Sequence, residues 1–443
     1  SGIFTSVMNA NPVSFPKTYE KPDNFPFVKH TLFGNKGDGR ADAVNPYAQM
    51  VNGYRDRFNA TNQAQFQVEQ DLSMITKGLN LRGLVSMNVT SSNQITRRFV
   101  PFYYGMIERQ TDEGVQHELK LLQEGTESLT NEISNGASSS FYIETAAQYN
   151  RTFDKHDVGG LLVFYMREGL NEIAGSNVLS SLPVRNMGLS GRATYGFDKR
   201  YYVELNFGYN GSEKFEKDKR WGFFPSAGLG WTVSNENFYG YDLKQVLSLL
   251  KFKVTYGLVG NDAIAAASNR FFYLSAVNIN DGGKGYTWGE MYNQSYNGYS
   301  INRYANNSIT WEVAQKANYG VELNFFDKLN VQVDYFTEQR NNIYRAFEFI
   351  PASMGLTAGL SNNIGKAFSQ GVDVASDFSW SVKKDLWFTA RANFTYATNV
   401  TLANGEPEYK YAYLSRIGQP INQQWGYVAE RLFIDEYDRI NSP

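Results

Sequence analysis

Apolar side chains recur every second residue in one segment after another of this sequence. Across 201–210, Tyr201, Val203, Leu205, Phe207 and Tyr209 share one face, and Tyr202, Glu204, Asn206, Gly208 and Asn210 share the other. A period of two is that of an extended strand, so each such segment sets an apolar face against a polar one. The same alternation runs through Leu79–Val89, Phe141–Tyr149, Phe223–Val233, Phe252–Leu258, Tyr319–Phe325, Leu329–Tyr335 and Leu386–Tyr396. It predicts strands near 66–76, 79–90, 139–150, 158–168, 188–197, 201–210, 222–233, 250–259, 317–326, 329–340, 369–380, 385–398 and 421–433. Tyr201, Tyr209, Trp231, Tyr319, Tyr335, Trp380 and Tyr396 stand near segment ends, where a membrane barrel carries its aromatic girdles.

The links between these segments alternate in length. Lys77-Gly78, 151–157, Asp198-Lys199-Arg200, Asp327-Lys328 and Lys383-Lys384 are short; 91–138, 169–187, 211–221, 260–316 and 341–368 are long. The link 234–249 is an exception, and Asp242–Leu250 within it reads as a short helix. Soluble sandwiches have no reason to alternate this way. An outer-membrane barrel does, because its periplasmic turns are tight and its external loops are long. The fold class expected is therefore all-β, an antiparallel transmembrane β-barrel. The expected division is an irregular, loop-rich segment over 1–65, with at most one strand, and barrel strands over 66–443.

Composition agrees where it discriminates. Tyr (30) and Phe (31) supply nearly all of a 15% aromatic content, with 39 Gly against 12 Pro, which favours strands and tight turns over helices. A mean hydropathy of −0.44 and the lack of a long apolar run exclude spanning helices. They leave a barrel open, since only alternate residues face lipid. The net charge of −2 without a basic stretch argues against nucleic acid, and the absence of cysteine rules out disulfides and thiolate chemistry. No leader opens the chain at Ser1-Gly2-Ile3-Phe4, and Asn441-Ser442-Pro443 is not a closing aromatic strand. The chain is expected to be part of a longer protein.

The ordered runs Gly188–Glu213, Lys219–Glu236, Leu250–Asp262, Ile309–Glu322, Val333–Arg340 and Asn362–Lys366 resemble the central barrel of the SusC/RagA family of TonB-linked outer-membrane transporters. The likeness spans 180–440 strongly and the earlier part loosely. It implies a barrel of the TonB-dependent receptor type in a bacterial outer membrane, incomplete in this chain. It also implies import of oligosaccharides or oligopeptides with a SusD-like surface lipoprotein as lid, energised by TonB through a segment outside this chain. A structural or docking barrel in a larger outer-membrane complex is the alternative reading.

No catalytic constellation stands out, and no cofactor is expected. His30, His117 and His156 are scattered through loops and a turn, without the clustering a metal needs. The pairs Asp112-Glu113 and Asp435-Glu436 read as solvated charge, and Gly37-Asp38-Gly39 and Asp281–Gly285 as loop tips rather than phosphate loops. The link 260–316 is the best candidate for ligand contact through Tyr286, Trp288, Tyr292, Tyr296 and Tyr299, whose faces suit sugar rings or peptide side chains. The competing account has these rings packing the loop against itself or a lipoprotein lid. Trp311, beside a strand start, is expected to be structural. Tyr103 and Tyr104 in 91–138 offer a surface for lid contact.

Overall fold

The computed structural model describes the chain except for residues 1, 11–12, 23–25, 37–44, 112–113, 172–181, 265–269, 430 and 442–443. Gly37-Asp38-Gly39, Asp112-Glu113 and Ser442-Pro443 lie outside the described residues. The strands are β1 (Phe33–Gly34), β2 (Gly53–Asp71), β3 (Leu79–Arg98), β4 (Tyr103–Thr111), β5 (Gly114–Gln123), β6 (Thr130–Phe153), β7 (His156–Asn171), β8 (Val184–Phe197) and β9 (Tyr201–Ser212). They continue as β10 (Trp221–Thr232), β11 (Leu247–Asn261), β12 (Ala276–Trp288), β13 (Gln294–Arg303), β14 (Glu312–Phe325), β15 (Leu329–Ala346), β16 (Ser361–Lys383) and β17 (Leu386–Ala403).

Twelve of these strands form one sheet in the order β17-β16-β15-β14-β11-β10-β9-β8-β7-β6-β3-β2, antiparallel at every step from β7 to β17. Links therefore alternate between its two ends. From β7 onward, one end carries 198–200, 233–246, 326–328 and 384–385; the other carries 182–183, 213–220, 262–264, 270–311 and 347–360. The helix Tyr241–Val246 accounts for the one long link among the tight ones. Several of the tight turns place residues with side chains in the left-handed region, among them Asp198 (φ 49) with Lys199 (φ 52) and Phe326 (φ 55) with Asp327 (φ 54). Two successive positive φ values match the twist of a two-stranded ribbon.

Register lines the apolar positions into rows. Val158, Tyr195, Val203, Leu229, Val254, Tyr319, Tyr335, Val372 and Tyr396 are successive cross-strand partners. So are Phe197, Tyr201, Trp231, Phe252, Val321, Val333, Val374 and Phe394. These rows face outward: Leu229 is 61% exposed, as is the same-face Leu205 of β9 at 56%, as a lipid-facing surface demands. On β9 and β10 the stacked pair Tyr209–Trp221 and the partners Tyr201–Trp231 bracket this band. Leu205, midway along β9, is expected to tolerate charge worst. Leu205→Arg should cost about 2–4 kcal/mol at the bilayer midplane, read as a lowered unfolding midpoint in lipid vesicles, whereas Asn206→Arg on the polar face should leave that midpoint nearly unchanged.

The opposite face is polar and its charges are paired. Lys253 reaches Glu322 (3.2 Å) and Asp334 (3.3 Å), Lys251 reaches Glu322 (3.6 Å), and Lys316 reaches Glu338 (3.1 Å). Arg340 bridges Glu338 and Glu312, and Arg192 holds Glu204 at 2.8 Å. A recess of about 630 Å³ lies here, lined by Lys253, Thr255, Asn318, Asp334, Asp373 and Asn393 among others. Gly320 leaves room on this face for the ion pair: a Cβ there would meet the end of the Lys253 chain at 2.2 Å and the Asp334 carboxylate at 2.4 Å, and both side chains would have to shift.

The chain divides into two compact units, 1–64 with 87–140 and 170–181, and 65–86 with 141–169 and 182–443. The first holds the three-stranded sheet β1-β4-β5 around buried Phe15, Leu32, Phe33, Ala48 and Tyr104. Its buried Asn45 caps the helix Pro46–Val51, accepting from the amides of Tyr47 and Ala48 and donating to the carbonyls of Lys17 and Gly34. The second holds the loops and hairpin described below.

Several expectations change. β2 opens at Gly53, inside the segment expected to be irregular, which also contains the helices Gly2–Asn9 and Pro46–Val51. His117 lies on β5 and His156 on the first residue of β7. The stretch 421–433 forms no strand among its described residues, and Tyr427, Val428 and Leu432 stand exposed. Tyr104 is 4% exposed, so its ring belongs to a core rather than to a contact surface.

After β17 the chain turns on Glu406. Burial opposes its charge, but the Ser415 hydroxyl (2.5 Å) and the amides of Arg416 (3.1 Å) and Ile417 (3.3 Å) outweigh it and hold the carboxyl below its usual range. A depressed folded value means that this turn is fully stabilised above the ordinary carboxylate pKa of about 4.3 and loses that stability as pH falls through the folded value. Exchange of the Arg416 and Ile417 amides, corrected for intrinsic rate, should rise between pH 7 and pH 3. Glu406→Gln should abolish the pH dependence.

Candidate functional site

The long link between β11 and β14 starts and ends in a built mount. Phe215, Phe272, Ile309 and Trp311 are buried together, with Phe224, Ile264, Val313 and Tyr344 packed against them. Trp311 sits 5.4 Å from the Phe215 ring and edge-on to Phe224 at 5.3 Å, and its indole N–H donates to the Arg220 carbonyl at 3.2 Å. The sequence supplies this core from two links and three strands, which explains why no local pattern announces it. Gly222 and Gly260 make room for the Phe224 ring, since a Cβ at either position would meet it within 2.3 Å.

Arg270 ties the mount to the strands. It is 2% exposed, donates to the carbonyls of Leu182 (2.5 Å) and Pro183 (2.7 Å), and is ion-paired with Glu213. Arg303, at the far end of the same excursion, donates to the carbonyls of Arg270 (2.9 Å) and Phe271 (3.3 Å). The Asn306 amide donates to Phe272 O at 2.8 Å. Asp262 is held by the Ser212 hydroxyl (2.7 Å) and the Asn186 amide group (3.2 Å), while Lys214 donates to its carbonyl (2.9 Å). Both feet of the excursion are thus braced by charge-assisted bonds to backbone, which are stronger than neutral ones.

What rises from this mount is the antiparallel pair β12–β13, a two-stranded sheet of its own. It carries all five aromatic residues expected to contact ligand. Tyr286 and Trp288 are on β12, Tyr296 and Tyr299 on β13, and Tyr292 sits in the connecting turn with φ 49. Their exposures run from 58% at Trp288 to 75% at Tyr292. The rings therefore do not pack the loop against itself. The residues that do so are Phe272, Ile309 and Trp311, and Trp311 is structural as expected.

The hairpin's irregular base explains why alternation missed it. The register slips between Asn278/Asp281 and again between Asp281/Tyr286, so Gly282, Gly283, Lys284 and Gly285 are extra residues on β12. A Cβ on Gly298 would meet the Lys284 carbonyl at 2.1 Å, so only glycine permits that approach. Asp281 pins the bulge: the Ser300 hydroxyl, then the Gly283 N–H (2.9 Å), hold its carboxyl below the usual range.

The arrangement offers ring faces and amides on a rigid foundation, with no convergent acid, base or nucleophile. Among the described residues no group of three or more His, Asp or Glu side chains is placed to hold a metal ion.

Known proteins match this chain over most of its length. The family described as "TonB dependent receptor-like, beta-barrel" matches residues 10–424. The TonB-dependent receptor P39 of Formosa agariphila is 27% identical over 68% of this chain and 30% of its own length. The TonB-dependent receptor SusC of Bacteroides thetaiotaomicron is 27% identical over 60% of this chain and 27% of its own. Among solved structures, the RagAB peptide importer in its closed-closed state superposes with a TM-score of 0.58 at 20% identity, covering 84% of this chain and 39% of that one. The chain spans less than a third of the curated relatives it matches. An apolar belt on one face of an antiparallel sheet, a paired-charge wall on the other, tight turns at one end and long loops at the other are the properties of an outer-membrane wall, and the chain belongs to the TonB-dependent receptor-like β-barrel family.

Proposed function

We propose that this chain forms part of the barrel of a SusC/RagA-type importer. It takes up oligosaccharides or oligopeptides with a SusD-like surface lipoprotein as lid and draws its energy from TonB. The observation that carries the reading is the division of one sheet into an outward apolar belt and a polar, charge-paired inner wall, with a braced aromatic hairpin at the long-loop end. A lipid-immersed wall that only anchored other proteins would need the belt but not the paired-charge face. The relatives named TonB-dependent receptor, and the fold shared with a peptide importer, support the same reading. Aromatic residues displayed on one face of this hairpin are the proposed ligand contacts.

The test is purification of the whole protein from outer membranes in detergent, with intact-mass measurement, identification of co-purifying proteins, and uptake of labelled oligosaccharide and oligopeptide by cells with and without TonB. A co-purifying surface lipoprotein and TonB-dependent uptake are expected. A barrel without a lipoprotein partner, and uptake indifferent to TonB, would replace this reading with a structural barrel.

A further inference from the structure

The register of the hairpin separates the five aromatics, which the sequence presents as one group. Tyr286 is the direct partner of Tyr296, and Trp288 of Gln294, so these four side chains share one face. Tyr286 and Trp288 lie 4.9 Å apart, edge to face. On β13 the side chains alternate, and Tyr299 falls with Ile301, the partner of Val277, on the opposite face. Tyr292 stands in the turn on neither face.

The tip face has a definite chemistry. Neither 286–288 nor 294–296 contains a charged residue, and the polar group on this face is the Gln294 amide; Thr287 and Ser295 pair with each other on the opposite face, and Lys284 and Glu290 are the nearest charged residues along β12 and its turn. A peptide, whose termini and side chains carry charge, would find no partner for that charge between these rings. Lys284, two residues before Tyr286, lies outside the ring pairs themselves. Three ring faces beside one amide, with no charge between them, suit a ligand with apolar C–H faces and hydroxyls.

We infer that Tyr286, Trp288 and Tyr296 form a stacking platform for a neutral oligosaccharide, with Gln294 supplying paired hydrogen bonds to its hydroxyls. This rests on the reading of the hairpin as ligand-contacting and adds to it the ligand's class and the face that binds. Tyr299 and Val277, on the other face, take no part. The braced feet at Arg270 and Arg303 give the platform a fixed base, so little ordering cost opposes binding.

The experiment is calorimetric titration of the detergent-solubilised protein. The probes are neutral hexasaccharides of glucose, xylose, mannose and galactose, and an acetylated, amidated hexapeptide of Gly, Ala and Ser. At least one hexasaccharide is expected to bind. Trp288→Ala and Tyr296→Ala should each weaken it by roughly tenfold, the worth of one aromatic contact. Tyr299→Ala and Val277→Ser should change it by less than about twofold. Trp288→Tyr, which keeps a ring on the face, should retain most of the affinity and so separates stacking from loss of the hairpin fold. The inference is overturned if no hexasaccharide binds, or if Tyr299→Ala weakens binding as much as Trp288→Ala. Peptide binding that Trp288→Ala abolishes, without sugar binding, would overturn the saccharide assignment and leave the hairpin as the ligand site. Binding of either probe that ignores every hairpin variant would overturn both.

Discussion

Trp311→Ala is expected to destabilise the loop mount by about 3–5 kcal/mol, the range for truncating a buried tryptophan. The indole is 7% exposed, touches Phe215 and Phe224, and donates to the Arg220 carbonyl, so its removal opens a cavity and orphans a backbone acceptor at once. The mount closes the long-loop end of β10, β11 and β14, whereas the sheet between the girdles is held by its own ladders. The loss should therefore be local. Limited proteolysis should cut 262–311 in the variant and spare it in the parent, while the barrel keeps its resistance to unfolding by heat in detergent. Trp311→Phe should recover part of the packing but not the hydrogen bond. If 262–311 in Trp311→Ala stays as resistant as in the parent, the buried cluster does not hold the excursion in place.

Arg270→Met should cost a comparable amount, about 3–5 kcal/mol, for a different reason. Removing one partner of a buried pair leaves the other uncompensated. Here the carbonyls of Leu182 and Pro183 lose their donor, and Glu213 loses its ion pair and keeps the Arg185 N–H (3.3 Å). Arg270→Lys should rescue little, because an ammonium cannot span three acceptors as the planar guanidinium does. The double variant Arg270→Met with Glu213→Gln should regain part of the loss, and the double-mutant cycle should return a coupling of about 0.5–3 kcal/mol. The rate of limited proteolysis within the long link between β11 and β14, read as a local opening free energy, measures all three. Additivity in the cycle would mean that the pair contributes nothing beyond its separate parts. Both variants should also lower ligand affinity at the hairpin without touching a ring there, because they release its feet.

How much of this was legible beforehand differs by element. The strands β3, β7–β11 and β14–β17 were readable because each presents one face to lipid and one to polar side chains. That demand is written locally, at every second residue. The tight turns were readable from the lengths between them. The ends of the strands were not: β6 runs from Thr130 and β16 to Lys383, well past the segments that alternate, since a ladder continues wherever a neighbour offers it hydrogen bonds. The segment 421–433 fails in the opposite sense, having the alternation without forming a strand among its described residues.

The candidate site divides along the same line. The sequence by itself determined that the chain makes outward-facing apolar strands joined by short and long links in turn, and that aromatics and amides concentrate in 260–316, because both follow from residue type and spacing alone. Only the tertiary structure decided which aromatics are core and which are displayed. Trp311 and Phe272 are buried because side chains from 213–224 and Tyr344 arrive beside them, and Tyr286, Trp288 and Tyr296 are exposed because glycine bulges carry their strands away from that cluster. Burial is a property of what comes together in space, and the partners that settle it here lie between about 30 and 100 residues away along the chain, beyond the reach of any local pattern.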